Sequence, residues 1–176
     1  MAALLMGVLA AVPARADESK DVDNPHPDVS NQLAFFKLTA LDMRTQADRL
    51  DSMTPSRQLD WRTHAQSLET LKAQVNQLGR TLASLEELKS QANQGQRMAI
   101  ENARPHLVIV AQEVTRAIDL LSDDRQSVYQ LPYSGTVSNL HNHASTLYET
   151  VDTIMDYEDA RIRLVNLDLS TSVEGS

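Results

Sequence analysis

The side chains best suited to chemistry in this 176-residue sequence are five histidines, a stepped run of carboxylates and six methionines. Spacing decides what each can do. His64 follows Trp61 by three residues and falls on an apolar stripe of helical period. An imidazole there could ligate haem or a metal, or it could sit partly buried and hydrogen-bonded across two helices. A lone histidine has no ligand partner at chelating spacing, so the second reading is preferred. His141 and His143 form H-x-H. On a strand they would share a face, but on a helix they diverge by roughly 200°, so they would share an ion only if that helix began later than its pattern suggests. Glu149, Asp152, Asp156 and Asp159 step by three, four and three. Such a stripe attracts cations, yet a straight helix does not wrap enough oxygens around Ca²⁺ and no calcium-loop pattern is present, so it reads as a solvated face. His26 lies between two prolines in a polar stretch and reads as part of a tail.

The motif searches point the same way. There is no Cys, which removes disulfides and the C-x-x-C-H haem attachment. The Glu-x-x-His pairs of carboxylate-bridged di-iron bundles, the phosphate loop, G-x-S-x-G and H-E-x-x-H are all absent. Met43, Met53, Met98 and Met155 sit at helical spacing and read as core filler. No catalytic, cofactor-binding or metal residue is therefore assigned, no cofactor is expected, and the chain reads as a non-enzyme. A rival from another class stays open: a carrier holding a metal or a haem-like ligand in its core through His64, His106 or His141.

The elements that would position these groups are helical. Hydrophobic residues make up 41% of the chain but aromatics only 4%, so a core must be built from aliphatic side chains. Few glycines and prolines, with much Ala, Leu, Gln and Glu, favour helix. Ala2 to Val12 is a short apolar run followed by Pro13 and Ala14-Arg15-Ala16, the pattern of a cleavable export signal over 1–16 with a mature chain starting at Asp17. No Lys or Arg precedes the run, so the natural start is expected upstream of Met1. Residues 17–27 read as a flexible acidic tail, 28–168 as one helical domain, and 169–176 as a second tail. No stretch approaches ~18 apolar residues after the signal, so no membrane span is expected. A net charge of −8 with scattered Lys and Arg disfavours nucleic acid as a partner.

Four segments carry seams stepping by three and four. The first, from Asp28 or Ser30, is Val29, Leu33, Phe36, Ala40, Met43, Ala47 and Leu50. The second is expected to open at Thr54-Pro55, with Pro in the first turn, and to run to about Gln91 through Trp61, His64, Leu68, Leu71, Val75, Leu78, Leu82 and Leu85. Gly79 inside it marks either a close helix approach or a tolerated weak point. Residues 93–96 read as a turn. The third seam is Ile100, Ala103, Leu107, Val110, Val114, Ala117 and Leu121, with a kink or restart predicted at Pro105 and the apolar run Leu107–Ala111 at the most buried point. Residues 122–135 form the longest connection, read as a lid that packs Val128, Tyr129, Leu131 and Tyr133 over the core. The fourth seam starts near Thr136 and runs Val137, Leu140, Ala144, Leu147, Val151, Ile154, then shifts through Tyr157 to Ala160, Leu164 and Leu167, a stammer of two successive steps of three. An all-α, antiparallel, up-down-up-down four-helix bundle with coiled-coil-like packing follows.

The pattern Trp61-x-x-His64-Ala65, then Leu68-x-x-Leu71-Lys72-x-x-Val75-Asn76-x-Leu78-Gly79, with Asp156-Tyr157 and Ala160-Arg161, resembles a group of small exported bacterial proteins of uncharacterised function. The likeness spans about 55–165 and implies an export signal followed by a helical bundle, with no activity or ligand. The expected role is contact with an envelope protein or with a second copy, in a periplasmic or secreted location. Phe35, Leu38 and Leu88, apolar but off the seams, are the expected contact residues.

Overall fold

The computed structural model describes residues 24–55 and 60–173. The export signal expected over 1–16 lies outside them, as does most of the tail expected over 17–27. Among the described residues there are four α-helices and no strand: α1 (Pro27–Met53), α2 (Trp61–Glu87), α3 (Gln94–Asp123) and α4 (Leu131–Val173), with a short 3₁₀ helix, Arg125–Tyr129, between the last two. They form a four-helix bundle. α1 and α3 each border α2 and α4, and meet one another more sparingly.

The apolar seams close on a common core. Every seam position of α1 and α3 is buried. In α2 the leucines and His64 are buried, while Trp61 and Val75 are half-buried. In α4 burial runs from Val137 to Val151 and thins at Ile154. Alanines at Ala40, Ala47, Ala99, Ala103, Ala117 and Ala144 alternate with Phe36, Met43 and the leucines. Small against large lets neighbouring helices interdigitate at crystal-like density. Polar pairs flank these seams. As α1 advances from Lys37 through Asp48 to Asp51, its partners in α4 retreat from Asp152 through His141 to Ser138. As α2 advances from Glu86, paired with Arg104 at 2.8 Å, to Lys89 just past its end, the α3 partner retreats to Glu101, also at 2.8 Å.

Several boundaries differ from the sequence reading, each for a local reason. Thr54-Pro55 ends α1 and does not open α2: the Thr54 hydroxyl donates to the Asp51 carbonyl at 2.8 Å, and α2 begins at Trp61 behind Asp60. Residues 88–92 turn in short i to i−3 and i−4 bonds, so α2 stops at Glu87, before the expected Gln91. Asn93 caps α3, so Gln94, Gly95 and Gln96 form a first turn where a loop was expected. α3 runs unbroken through Pro105 and does not restart there. The carbonyl that Pro105 leaves unpaired belongs to Glu101, an exposed residue, where water can replace the lost donor. α4 starts at Leu131, because Pro132 needs no N–H partner in a first turn, and it continues to Val173 beyond the expected limit at 168.

Burial corrects two further expectations. Within 107–111, Leu107 and Val110 are buried but Val108 is exposed, so the run is not enclosed on all sides. Met43 is buried and Met53 and Met155 pack against the core, whereas Met98 is exposed. Of the expected lid, Val128 and Tyr133 are buried, but Tyr129 is exposed and Leu131 is 87% exposed.

The two helical glycines separate cleanly. A Cβ on Gly79 would meet nothing within 4 Å, so this glycine is a tolerated weak point and not a close approach. A Cβ on Gly95 would overlap Cγ and Cδ of Glu158, which crosses the first turn of α3. Gly79→Ala should therefore raise stability by roughly 0.5–1 kcal/mol through lower unfolded-chain entropy. Gly95→Ala should push the Glu158 side chain off the first turn of α3 and lose its contacts with Asn93 and Arg161, so its gain should fall short of that of Gly79→Ala. Urea unfolding of both variants checks the difference.

Candidate functional site

Apart from Thr39, which bonds back to the Phe35 carbonyl within α1, the buried polar side chains lie toward the two ends of the bundle. At one end, His64 in the second turn of α2 meets Tyr133 in the first turn of α4, both buried. The His64 Nδ1 and the Tyr133 hydroxyl are 3.2 Å apart, and their rings meet edge to face with centroids 5.5 Å apart. Burial lowers the His64 pKa below the ordinary histidine value and pushes the Tyr133 phenol well above the ordinary tyrosine value. Both shifts favour the neutral side chains, and one hydrogen bond joins Nδ1 and the phenol oxygen, its direction set by the imidazole tautomer. Of the two readings of His64, a satisfied structural imidazole is the one that this geometry matches.

Trp61, one turn before His64, has two guanidiniums over its rings: Arg125 is 4.4 Å and Arg62 4.9 Å from a ring centroid. Arg62 also pairs with Asp60 at 2.5 Å, and that contact holds the Asp60 carboxyl below the usual carboxylate range. Beside the stack runs an open groove of about 350 Å³ whose walls include Ala65, Leu68, Ile118 and Leu121. Its aliphatic walls are bordered by Glu69 and Ser122 and end at the Trp61 ring and the Arg125 guanidinium.

At the other end, Gln96 ties the start of α1 to the start of α3. Its Oε1 accepts from the backbone N–H groups of His26 (3.1 Å) and Asn93 (3.0 Å), and its Nε2 donates to the His26 carbonyl (3.0 Å) and the Ser30 hydroxyl (2.9 Å). Asn93 completes a capping box by accepting from the Gln96 N–H at 2.8 Å. His26 is therefore anchored through its backbone, contrary to its reading as part of a loose tail. The Glu158 carboxylate lies over this helix start, near Asn93 Nδ2 (3.5 Å) and Arg161 (3.1 Å). A cavity of about 60 Å³ sits beneath, lined by Ser30, Leu33, Ile154 and Ile162 among others.

The remaining sequence candidates do not converge. His141 Nδ1 lies 3.8 Å from the Asp48 carboxylate on α1, and His143 is not drawn into that contact. Asp152 and Asp156 of the acidic stripe both face Lys37, and Asp152 raises the lysine pKa through their hydrogen bond. The stripe is thus partly neutralised by α1 and only partly solvent-facing. Among the described residues no group of three or more His, Asp or Glu side chains is placed to hold a metal ion. Tyr133, Gln96, Glu158 and Arg125 were not singled out from the sequence as polar partners. The usable signals were Asn93-x-x-Gln96, which matches a capping box, and Trp61 with arginines on neighbouring segments.

No family model matches the chain, and no curated protein or solved structure is significantly similar to it.

Two outcomes follow for the His64–Tyr133 pair. Tyr133→Phe leaves the imidazole without its partner and should cost about 1–3 kcal/mol in chemical denaturation. Because the folded pKa of His64 is depressed, the unfolded chain takes up the extra proton. Stability from this group is complete above the ordinary value of 6.5 and is lost as pH falls below it. His64→Gln should flatten the decline in melting temperature between pH 7.5 and 5.

Proposed function

We propose that this protein is a non-enzymatic, exported, antiparallel up-down-up-down bundle that works by protein–protein contact in the cell envelope. The observation that carries this reading is the pairing of a closed core with apolar side chains left outside it. At the two ends of the bundle polar groups answer one another, His64 with Tyr133 and Gln96 with His26 and Ser30, although the buried Ser127 hydroxyl has no partner. Outside the core, Leu38 is 61% and Leu131 87% exposed, and Phe35 is exposed as well. Exposed leucines on rigid helices are contact residues more readily than they are chemistry. Leu88 is half-buried against the core and leaves the expected contact set.

Export rests on the apolar run before Ala14-Arg15-Ala16, together with the bundle that the sequence resemblance implies. The antiparallel order rests on the retreating partners of α1 in α4 and of α2 in α3, and a bend at Pro105 on the freed Glu101 carbonyl. No helix among the described residues is long and apolar enough to cross a membrane. The carrier alternative gains no specific support, since the one buried histidine faces a tyrosine hydroxyl.

Fractionation of the native cells with N-terminal sequencing tests export: a mature chain beginning at Asp17 outside the cytoplasm is expected, and an uncleaved cytoplasmic chain would refute it. Photo-cross-linking residues placed at Leu38 and Leu131 test the contact. A discrete adduct in the envelope fraction is expected, and no adduct at either position would count against the reading.

A further inference from the structure

The furrow between α2 and α3 at the Trp61 end of the bundle joins an aliphatic floor to one unpaired cation. Ala65 and Leu68 of α2 face Ile118 and Leu121 of α3 across it, and its volume of about 350 Å³ falls in the range of small-molecule sites. Leu68 and Leu121 are buried, so the furrow reaches down to the edge of the core. Ala65 carries the smallest side chain of the four, and a larger one would fill the space. The backbone at Ala65, Leu68 and Ile118 already bonds within its own helix. These walls therefore offer the amides of a docked peptide no partners, whereas an alkyl chain has no polar group to satisfy.

The two ends of the furrow differ in charge. At one end the Arg125 guanidinium rests against Trp61, and among the described residues it has no carboxylate at ion-pair distance. Arg62, the other guanidinium at Trp61, is already taken by Asp60. Glu69 borders the furrow two turns further along α2, about 12 Å from Trp61 at 1.5 Å per residue. Lys72 lies 3.8 Å from Glu69, and both side chains are more than half exposed, so the lysine offsets only part of that charge. An anionic group is thus attracted at the Arg125 end and repelled at the Glu69 end.

We propose that this furrow binds a free medium-chain fatty-acid anion, its carboxylate on Arg125 and its single unbranched tail running between α2 and α3 toward Glu69. The distance between the ends suits a tail of about eight to ten carbons. Arginine presents a planar fork that matches a carboxylate, and the stack on Trp61 holds that fork in place before the ligand arrives. The furrow is open and its cation is exposed, so binding is weak, with a dissociation constant of roughly 0.1–1 mM for decanoate. The site does not include the contact residues Leu38 and Leu131, so it goes beyond the contact reading and does not depend on it.

Two-dimensional NMR of the isotope-labelled full chain, titrated with decanoate, tests this. The Trp61 indole N–H and the amides of Ala65, Ser122 and Arg125 should shift along one saturable curve, with those around Gln96 unmoved. From octanoate through nonanoate to decanoate, each added methylene should tighten binding about two- to fourfold. Decanedioate should bind about tenfold more weakly than decanoate, because its second carboxylate comes to rest beside Glu69. Arg125→Gln should weaken decanoate about three- to tenfold and leave octanol unchanged, and Ala65→Phe should weaken both by filling the furrow. Shifts that stay unsaturated up to about 5 mM decanoate, or that spread over the whole surface, would overturn the proposal. So would equal decanoate affinity in the wild type and in an Arg125→Gln variant with unchanged circular dichroism. A short leucine peptide with a free C-terminal carboxylate that binds here more tightly than decanoate would assign the furrow to a protein partner and sink the proposal as well. Cross-linking at Leu38 and Leu131 reads the envelope contact separately, so either idea can fail alone.

Discussion

Aliphatic seams held in register over four helices are the constraint on which every other feature depends. With no cysteine in the chain, no disulfide can join the helices. Apolar burial is non-directional, and a seam that repeats every seven residues can in principle slide by one repeat. The polar contacts supply what the seams lack. Gln96 satisfies four separate groups at one end, and Tyr133 answers His64 at the other. A one-repeat slip would strand these buried donors and acceptors, at a cost comparable to the net stability of a small domain.

The periodic parts of this architecture are legible in the amino-acid sequence. Seam residues such as Leu33, Leu71, Val114 and Leu147 are buried as their spacing demands, because burial on a helix is a matter of angle and angle follows from residue number. Boundaries were harder, since the same residues serve opposite ends. Thr54-Pro55 has the chemistry of a helix start but closes α1 through a bond back to Asp51. Asn93 reads equally as a turn residue and as a cap, and only its reciprocal bond with Gln96 decides. Val108 and Met98 misled because hydrophobicity states a preference for burial, not a direction.

The polar ends were less legible for a different reason. His64 could be placed on a seam, but its partner lies 69 positions away, at a residue read as part of a loop. Glu158 lies off the stepped carboxylates and carries no local signal of its own. Its position over Gly95 depends on where α4 crosses α3, a tertiary fact that no local pattern encodes. The stammer after Ile154 was visible in sequence, but its meaning required the structure: the core seam passes to Glu158 while the apolar rhythm turns outward at Tyr157.

Trp61 carries one more consequence. It is the sole tryptophan, and guanidiniums lie close above its ring system where α2 meets the 3₁₀ helix. Cationic charge against an indole shifts its emission, so the native fluorescence colour is a built-in gauge of this corner of the molecule. Arg125 belongs to the short connection and Trp61 to a long helix, so any loosening of that connection would register optically before the bundle itself came apart.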